Sequence, residues 1–456
     1  MDSKAVFPRN FLKTYPQATR AEGCFIYTAE GRRYLDAAGG AAVVTIGHGV
    51  ESVARAMAEQ AARLAYVHSS QFQTAPAEKL AQRILALAPH GMRRGGRVYF
   101  TSGGSEATET AIKLARQYWL ERGNAKRTRV IARRQSYHGS TLGALSLSGN
   151  VRRREPFAPL LAEWGHVAPC YCYRCPFDLR YPECNVDCAD DLDRQLARDG
   201  SDDVAAFILE PVSGATLGAV VPPDGYLQRI AEICRRNKIL LIADEIMTGM
   251  GRTGKAFAVE HWGVVPDMIL VGKGVASGYA PLGAVIVAGQ VADAISQGSG
   301  TFLHGFTYNS HPVSVAAGNA VLDFAEREKL FARVEPAGKE LAAALEPLKR
   351  FSVVGDVRGI GLLQAIEFVR DSKTREPFPA DANIASRIAA DVLEAGVATY
   401  PMQGCVDGNR GDHVLLAPPF TITSAMIQML ASALEHSIGD FEKAHMASTG
   451  GSPARA

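Results

Sequence analysis

The sequence predicts an α/β fold, a mostly parallel central sheet with helices on both faces plus a smaller α+β domain. Three features point to it. Between about residues 75 and 315, short apolar segments alternate with amphipathic ones: Val98-Tyr99-Phe100, Val130-Ile131-Ala132, Val204 to Leu209, Ile239 to Ala243, Met268 to Val271 and Ala284 to Val287. Such alternation is the signature of strand–helix units and a parallel sheet. Several of these runs are apolar at every position, as strands are when both faces are covered. After about residue 316 the pattern changes to long helical stretches, Val315 to Ala325 and Arg333 to Lys349, then Val353 to Ile366. The expected organisation is an N-terminal segment over 1–74 that contributes to the small domain, a large domain over 75–315, and a small C-terminal domain over 316–456.

With 456 residues the chain can form two or three lobes. Its 21% charged and 47% hydrophobic residues are ordinary for a globular protein and argue against a disordered or fibrous chain. A net charge of +2 gives no reason to expect nucleic acid or an anionic membrane as partner. No apolar segment reaches the roughly 18 residues of a membrane span. The first residues, Met1 to Pro8, lack the charged-then-apolar pattern of a secretory signal, so a cytoplasmic enzyme is expected. The polar tail Met446 to Ala456 is expected to be disordered.

In chain order, Gly23 to Tyr27 and Arg32 to Leu35 bracket the turn Glu30-Gly31 and read as a hairpin. Gly39-Gly40 and Gly47-His48-Gly49 mark loops before an alanine-rich helix, Val53 to Ala65. Thr101-Ser102-Gly103-Gly104-Ser105-Glu106 follows a strand and precedes the helix Ala107 to Leu120. A glycine-rich turn at a helix N-terminus suits phosphate, through backbone N–H groups and the helix dipole. Ser105 can cap that helix or donate to the phosphate. Ser136-Tyr137-His138-Gly139-Ser140-Thr141 follows the strand Arg129 to Ala132, and its aromatic ring can stack on a flat heterocycle or pack in the core. Glu210 ends another apolar strand and points a carboxylate to the same sheet edge.

The stretch Lys238 to Gly283 holds the two chemical points. The run Ile239 to Ala243 ends abruptly in Asp244-Glu245. Ligands of such sheets sit beyond the carboxyl ends of the strands. A carboxylate placed there needs a cationic partner, because an unpaired buried charge is costly. The next apolar run, Met268 to Val271, delivers Gly272-Lys273-Gly274. Buried lysines shift their pKa downward readily and are the usual Schiff-base formers. One acid and one amine, each at a strand end, suit an aldehyde cofactor with a basic ring nitrogen, and pyridoxal 5′-phosphate has both handles plus a phosphate. Downstream, the polar loop His304 to Pro312 carries hydroxyls suited to a phosphate, while its two histidines have a spacing poor for a metal.

Two motifs in this stretch are decoys. Gly249-Met250-Gly251-Arg252-Thr253-Gly254 fits G-x-G-x-x-G, but five residues separate it from its strand and no helix start follows. The near match to a phosphate-binding loop from Gly249 to Lys255 ends in Ala256, where a magnesium-holding hydroxyl is needed.

Together these segments resemble the class III, or ω-amino-acid, aminotransferases of pyridoxal-phosphate fold type I. The resemblance runs from Gly31-Arg32-Arg33-Tyr34-Leu35-Asp36 to Leu416-Ala417-Pro418-Pro419-Phe420. Its most specific part is Asp244-Glu245-Ile246 with Gly249 to Gly254, and Lys273 twenty-nine residues after Asp244. The resemblance implies that Lys273 joins the cofactor aldehyde and carries the proton, and that Asp244 pairs with the ring nitrogen. It implies that Ile246 and Tyr137 pack on the two ring faces, with His138 among the cofactor-binding residues. Gly104 and Ser105 would bind the phosphate with Thr307 of the partner subunit of a homodimer. Glu210 would sit near the substrate and set the charge there. The N-terminal segment would add dimer contacts.

The expected activity is transfer of an amino group from a primary amine or ω-amino acid to a keto acid. A same-family aminomutase or decarboxylase, or a non-catalytic nucleotide-binding protein, is the alternative. Departures from the family pattern refine the expectation. Met247 stands where many members have glutamine. Ser140 stands where members that read glutamate and 2-oxoglutarate often carry arginine, which favours pyruvate as acceptor. Ile422-Thr423-Ser424 follows Pro418-Pro419 where some amine:pyruvate members place an arginine clamp. Arg152, Arg153 and Arg154 are the candidates to replace it, against a solvated basic turn.

Five of the eight cysteines, Cys170, Cys172, Cys175, Cys184 and Cys188, cluster in one loop-like stretch. They could wrap a structural zinc, but reduced thiols packing an inserted loop are favoured, and no catalytic metal is expected.

Overall fold

The computed structural model describes residues 5–449. The predicted hairpin is present: strand β2 (Phe25–Thr28) pairs antiparallel with β3 (Arg33–Asp36) and, on its other side, with β1 (Ala18–Glu22). Gly31, at φ +78°, makes the turn. The alanine-rich helix spans Glu51–Arg63.

The apolar runs of the middle chain form a seven-stranded sheet. Its strands are β4 (Arg97–Thr101), β5 (Arg129–Arg133), β6 (His166–Val167), β7 (Val204–Leu209), β8 (Leu240–Asp244), β9 (Met268–Val271) and β10 (Gly283–Val287). The spatial order is β4-β10-β9-β8-β7-β5-β6. All pairings from β9 to β6 are parallel, while β10 runs antiparallel to both β9 and β4. The run Ala284 to Val287 is therefore the one reversed strand of a mostly parallel sheet. Every residue of β7, β8, β9 and β10 is buried. Along β8 the side chains alternate between two cores. Leu240 and Ile242 pack with Ala107, Leu114 and Leu270, whereas Leu241 faces Leu192 and Ile230, and Ala243 faces Ile84 and Phe100. Two covered faces are why the strand reads as an unbroken apolar run.

Helix Gly104–Glu121 starts three residues earlier than its apolar periodicity suggests. Gly103 lies in extended backbone at the cap, and the Glu106 carboxylate accepts the Ser102 N–H at 2.8 Å, which fixes the strand-to-helix turn.

Beyond residue 316 helices and a small sheet alternate. The run Val353 to Ile366 is a hairpin, β11 (Val354–Ile360) and β12 (Leu363–Phe368). Next come β13 (Val397–Ala398), β14 (Tyr400–Gln403) and β15 (Asp412–Leu416), the last pairing with both β12 and β14. Strand β13 pairs parallel with β3, and one core cluster joins Leu35, Ile46 and Val53 to Leu341, Ile366 and Leu434. The N-terminal segment thus packs on the C-terminal elements. The final helix runs Ser424–Thr449, so helix continues past Met446, where a disordered tail is expected; residues 450–456 of that tail lie outside the described residues. No helix among the described residues is long and apolar enough to cross a membrane.

Candidate active site

The carboxyl ends of β4, β5, β7, β8 and β9 converge on one cavity. It encloses about 660 Å³ of empty space, its mouth included, and is lined by Gly104, Ser105, Tyr137, His138, Glu210, Asp244, Ile246 and Lys273, with Gly139, Val212, Ala215 and Met247. Eight of the nine predicted site residues meet there, although they come from five separate segments. That volume holds a drug-sized flat ligand.

Asp244 is the last residue of β8 and buried. Its Oδ2 lies 2.7 Å from Nδ1 of His138, and its Oδ1 accepts the Ile246 N–H at 3.1 Å. A carboxylate can only accept, so the His138 tautomer that carries its proton on Nδ1 is the one able to donate to Asp244. The adjacent Glu245 has the opposite duty. It accepts the N–H groups of Ala258 and Val259 at 2.9 and 2.8 Å and the Thr248 hydroxyl, tying down a loop, and burial pushes its pKa up to about 7. Successive side chains at a strand end point to opposite sides, so one acid faces the cavity and its neighbour the scaffold.

Lys273 opens a short turn at φ +42°, a left-handed conformation uncommon outside glycine. Backbone held this way is a feature of functional sites. Burial lowers its amine pKa to about 8, with Asp244 and Glu210 opposing the shift and Arg252 and Arg153 adding to it. Glu210 is raised by burial. One of its carboxylate oxygens accepts the Gly214 N–H at 3.1 Å, while the other is buried without a partner.

The walls are set by close packing. A Cβ on Gly104 would come within 2.7 Å of Ile246 Cδ1, and one on Gly139, at φ +137°, within 2.6 Å of Ser105 Oγ. Ser105 Oγ accepts the Ser140 N–H at 3.0 Å, and Ser140 Oγ is 2.9 Å from the Tyr137 hydroxyl. The first N–H groups of helix Gly104–Glu121 have no partner within the helix, so this end of the cavity offers donors to an anion.

Comparison with known proteins decides the family. The family model for class-III aminotransferases matches residues 6–438. The chain belongs to the class III aminotransferases. An uncharacterized aminotransferase, YodT, of Bacillus subtilis (strain 168) is 39% identical over 430 residues, covering 94% of this chain and 96% of the relative. A putrescine–pyruvate aminotransferase of Pseudomonas aeruginosa is 35% identical over 415 residues, 90% of this chain and 88% of the relative. Among solved structures, an (S)-enantioselective ω-transaminase from Thermomicrobium roseum superposes with a TM-score of 0.89 at 36% identity, over 96% of each chain.

Within this aminotransferase Thr307 is the predicted site residue that stands apart. It lies in an exposed loop, where its carbonyl accepts the Tyr66 hydroxyl at 2.9 Å. The G-x-G-x-x-G segment is a turn-rich loop with no helix after it. Its Arg252 is fully buried, donating to the carbonyls of Leu362, Pro418 and Val44 at 3.1, 2.5 and 3.2 Å, so it ties the large sheet to the C-terminal elements. Two features escaped the sequence. The His138–Asp244 contact spans 106 residues with no local signal. The Arg153 guanidinium lies 4.6 Å from the Tyr137 ring centroid.

The eight cysteines are free thiols. Cys172, Cys175, Cys184 and Cys188 line one small cavity with Tyr181 and Pro176, and among the described residues no group of three or more ligating side chains is disposed to hold a metal.

Proposed function

We propose that this class III aminotransferase binds pyridoxal 5′-phosphate in the cavity and moves an amino group from a primary amine or ω-amino acid to a keto acid, with pyruvate favoured over 2-oxoglutarate. The observation that carries the reading is the meeting of one amine and one carboxylate, from adjacent strand ends, across a single slot: Lys273 and Asp244, with Ile246 and Tyr137 among its walls. When bound, the cofactor supplies an aldehyde that captures amines and a ring that withdraws electrons from the reacting carbon.

The chain's residues divide the remaining work. Lys273 would hold the cofactor and carry a proton at Nζ. Asp244, contacted by His138, would favour positive charge on the cofactor's basic nitrogen. Gly104 and Ser105 would bind its phosphate at the helix N-terminus, and Ile246 and Tyr137 would pack against it. Glu210 offers its unpartnered oxygen to the substrate side. Among the cavity-lining side chains Lys273 is the only Lys or Arg, and Ser140 gives no cation for a second carboxylate. A dicarboxylate acceptor would leave one charge unpaired, which supports pyruvate.

Thr307 is read as completing the phosphate site of the other subunit in a homodimer. The exposed Phe72, Leu303 and Tyr308, with Tyr66 against Tyr308 at 6.0 Å, support an interface there. Eight free thiols support a reducing, cytoplasmic setting.

Mixing the loaded protein with an amine and no acceptor tests the reaction class. A transaminase must accumulate the aminated cofactor stoichiometrically and return it on addition of pyruvate. Carbon dioxide release, or no accumulation, contradicts the reading.

Two further outcomes follow from the geometry. Because the Lys273 amine has a pKa of about 8, it is an ammonium below that pH and a nucleophile above. Capture of the cofactor by cofactor-free protein should therefore accelerate about tenfold per pH unit below 8 and level off above it. Stopped-flow absorbance reads this, and a flat profile through pH 8 contradicts it. Gly104→Ala drives a methyl into Ile246. Overpacking of this kind costs about 1–3 kcal/mol, so cofactor affinity should fall about tenfold or more. The better helix propensity of alanine, about 1 kcal/mol at most, offsets only part of that cost, so the melting temperature should fall by a few degrees. Fluorescence titration checks the first and calorimetry the second.

A further inference from the structure

Three consecutive arginines end the short helix Val151–Arg154, and they divide into two groups. Arg154 turns inward and donates through Nη1 to the carbonyls of Leu145, Ser146 and Ser148 at 2.9, 2.6 and 3.0 Å. Arg152 and Arg153 line a different cavity, outside the one that holds Lys273 and Asp244. It is a polar cleft between this turn and the C-terminal elements, with about 920 Å³ of empty space, its mouth included. One wall is Asn150, Arg152 and Arg153, and the facing wall includes Asn383, Ser386 and Gln403.

Most donors of this cleft are uncommitted. Arg152 gives an N–H to the Gln403 side-chain oxygen, and Gln403 donates in turn to the Ala380 carbonyl at 2.7 Å. Arg153 uses only its backbone N–H, on Asn150 Oδ1 at 3.1 Å. Its half-buried guanidinium makes no hydrogen bond or ion pair among the described residues. The Tyr137 ring, whose centroid is 4.6 Å away, holds it in place instead. The side chains of Asn383 and Ser386 also have no hydrogen-bond partner among the described residues. Helix Ile384–Glu394 starts here, but Asp412 Oδ1 already accepts its Ala385 N–H at 3.0 Å. The cleft is therefore built from side chains and not from the helix end.

Charge and geometry select the ligand. Two guanidinium groups on one wall repel each other unless an anion joins them. The exposed Asp381 lines the same cleft, yet it pairs with neither arginine. A single carboxylate has two oxygens and is satisfied by one guanidinium fork. A phosphate group has more oxygens and up to two charges, so it can take both forks and the neutral donors opposite.

We propose that this cleft is a second ligand site, specific for a phosphate group, with Arg152 and Arg153 as its two forks and Asn383 and Ser386 as neutral donors. The phosphate is free phosphate or that of a small phosphorylated alcohol, and Asp381, as an acceptor, suits the hydroxyls of the second. The site does not depend on which amine or keto acid the aminotransferase uses.

The test is calorimetric titration of the cofactor-loaded full-length enzyme with glycerol 3-phosphate and with inorganic phosphate, with glycerol and acetate as controls. Both phosphates should bind at one equivalent per chain without releasing the cofactor, and the controls should not bind. Tighter binding of glycerol 3-phosphate, with the gap narrowed in Asp381→Asn, assigns the site to the ester; equal binding assigns it to free phosphate. Arg152→Ala and Arg153→Ala should each weaken binding about tenfold, and the double variant should abolish it. The double lysine variant R152K/R153K should fall between, since it keeps the charges and loses the forks. These are surface changes, so each variant should melt within about 2 °C of the parent, which separates lost binding from lost folding. Absence of saturable phosphate binding in the parent overturns the proposal. So does binding that persists in R152A/R153A, or binding that occurs only as cofactor is displaced.

Discussion

Lys273→Ala should leave a folded protein whose turnover of amines falls by roughly 10³- to 10⁴-fold. The expectation follows from position. Among the residues that line the cavity no second primary amine can take over the covalent or proton-carrying role. Removing a partly desolvated ammonium also relieves a burial penalty, so no loss of stability accompanies the loss of rate. Phosphate and ring contacts remain, and the variant should still take up cofactor, now without the covalent bond. Excess methylamine should restore part of the rate, because a diffusing base can reach the site left by the side chain. Steady-state kinetics with and without methylamine read both effects. Parent-like turnover in K273A would sink the scheme.

Asp244→Asn should cost roughly 10²- to 10³-fold in turnover, the scale of losing one preorganised charge at a reacting system. The amide matches the carboxylate in shape, and its oxygen can still accept the Ile246 N–H or face Nδ1 of His138. What disappears is the negative charge beside the ring nitrogen. The effect should therefore appear in kcat, with cofactor affinity falling less. A spectroscopic readout separates this from misfolding: the bound cofactor should absorb as the form with an unprotonated ring nitrogen. A D244N protein with parent-like kcat would show that the ring charge does not matter here.

Both residues were legible in the sequence for one physical reason. Strands covered on two faces must be apolar throughout, so the first charge after Ile239 to Ala243 and the lysine between glycines after Met268 to Val271 stand out as strand-end groups. The glycine turn at Gly103-Gly104 announced itself similarly, because only small residues let Ile246 approach so closely. Direction was not legible. Nothing in the composition of Gly283–Val287 distinguishes a reversed strand from a parallel one, since both are buried. The run Val353 to Ile366 hid a hairpin whose turn, Gly361, sits at φ +57° between an arm that carries Asp356 and Arg358 and a fully buried one. Long-range polar contacts were the least visible. His138 meets Asp244, and Arg153 meets the ring of Tyr137, only because the sheet brings separate loops to one edge, and the three-arginine run reads in isolation as a solvated turn. The role expected of Thr307 lies in a second copy of the chain, so within one copy it stands apart from the cavity.

Lys273 is the residue proposed to join the cofactor. Borohydride reduction of the loaded enzyme turns a carbon–nitrogen double bond into a stable single bond, and proteolysis followed by peptide mass spectrometry then locates it. One pyridoxyl-modified peptide is expected, with the modification on Lys273. A modification on any other lysine, or a loaded enzyme that yields no modified peptide at all, would contradict it.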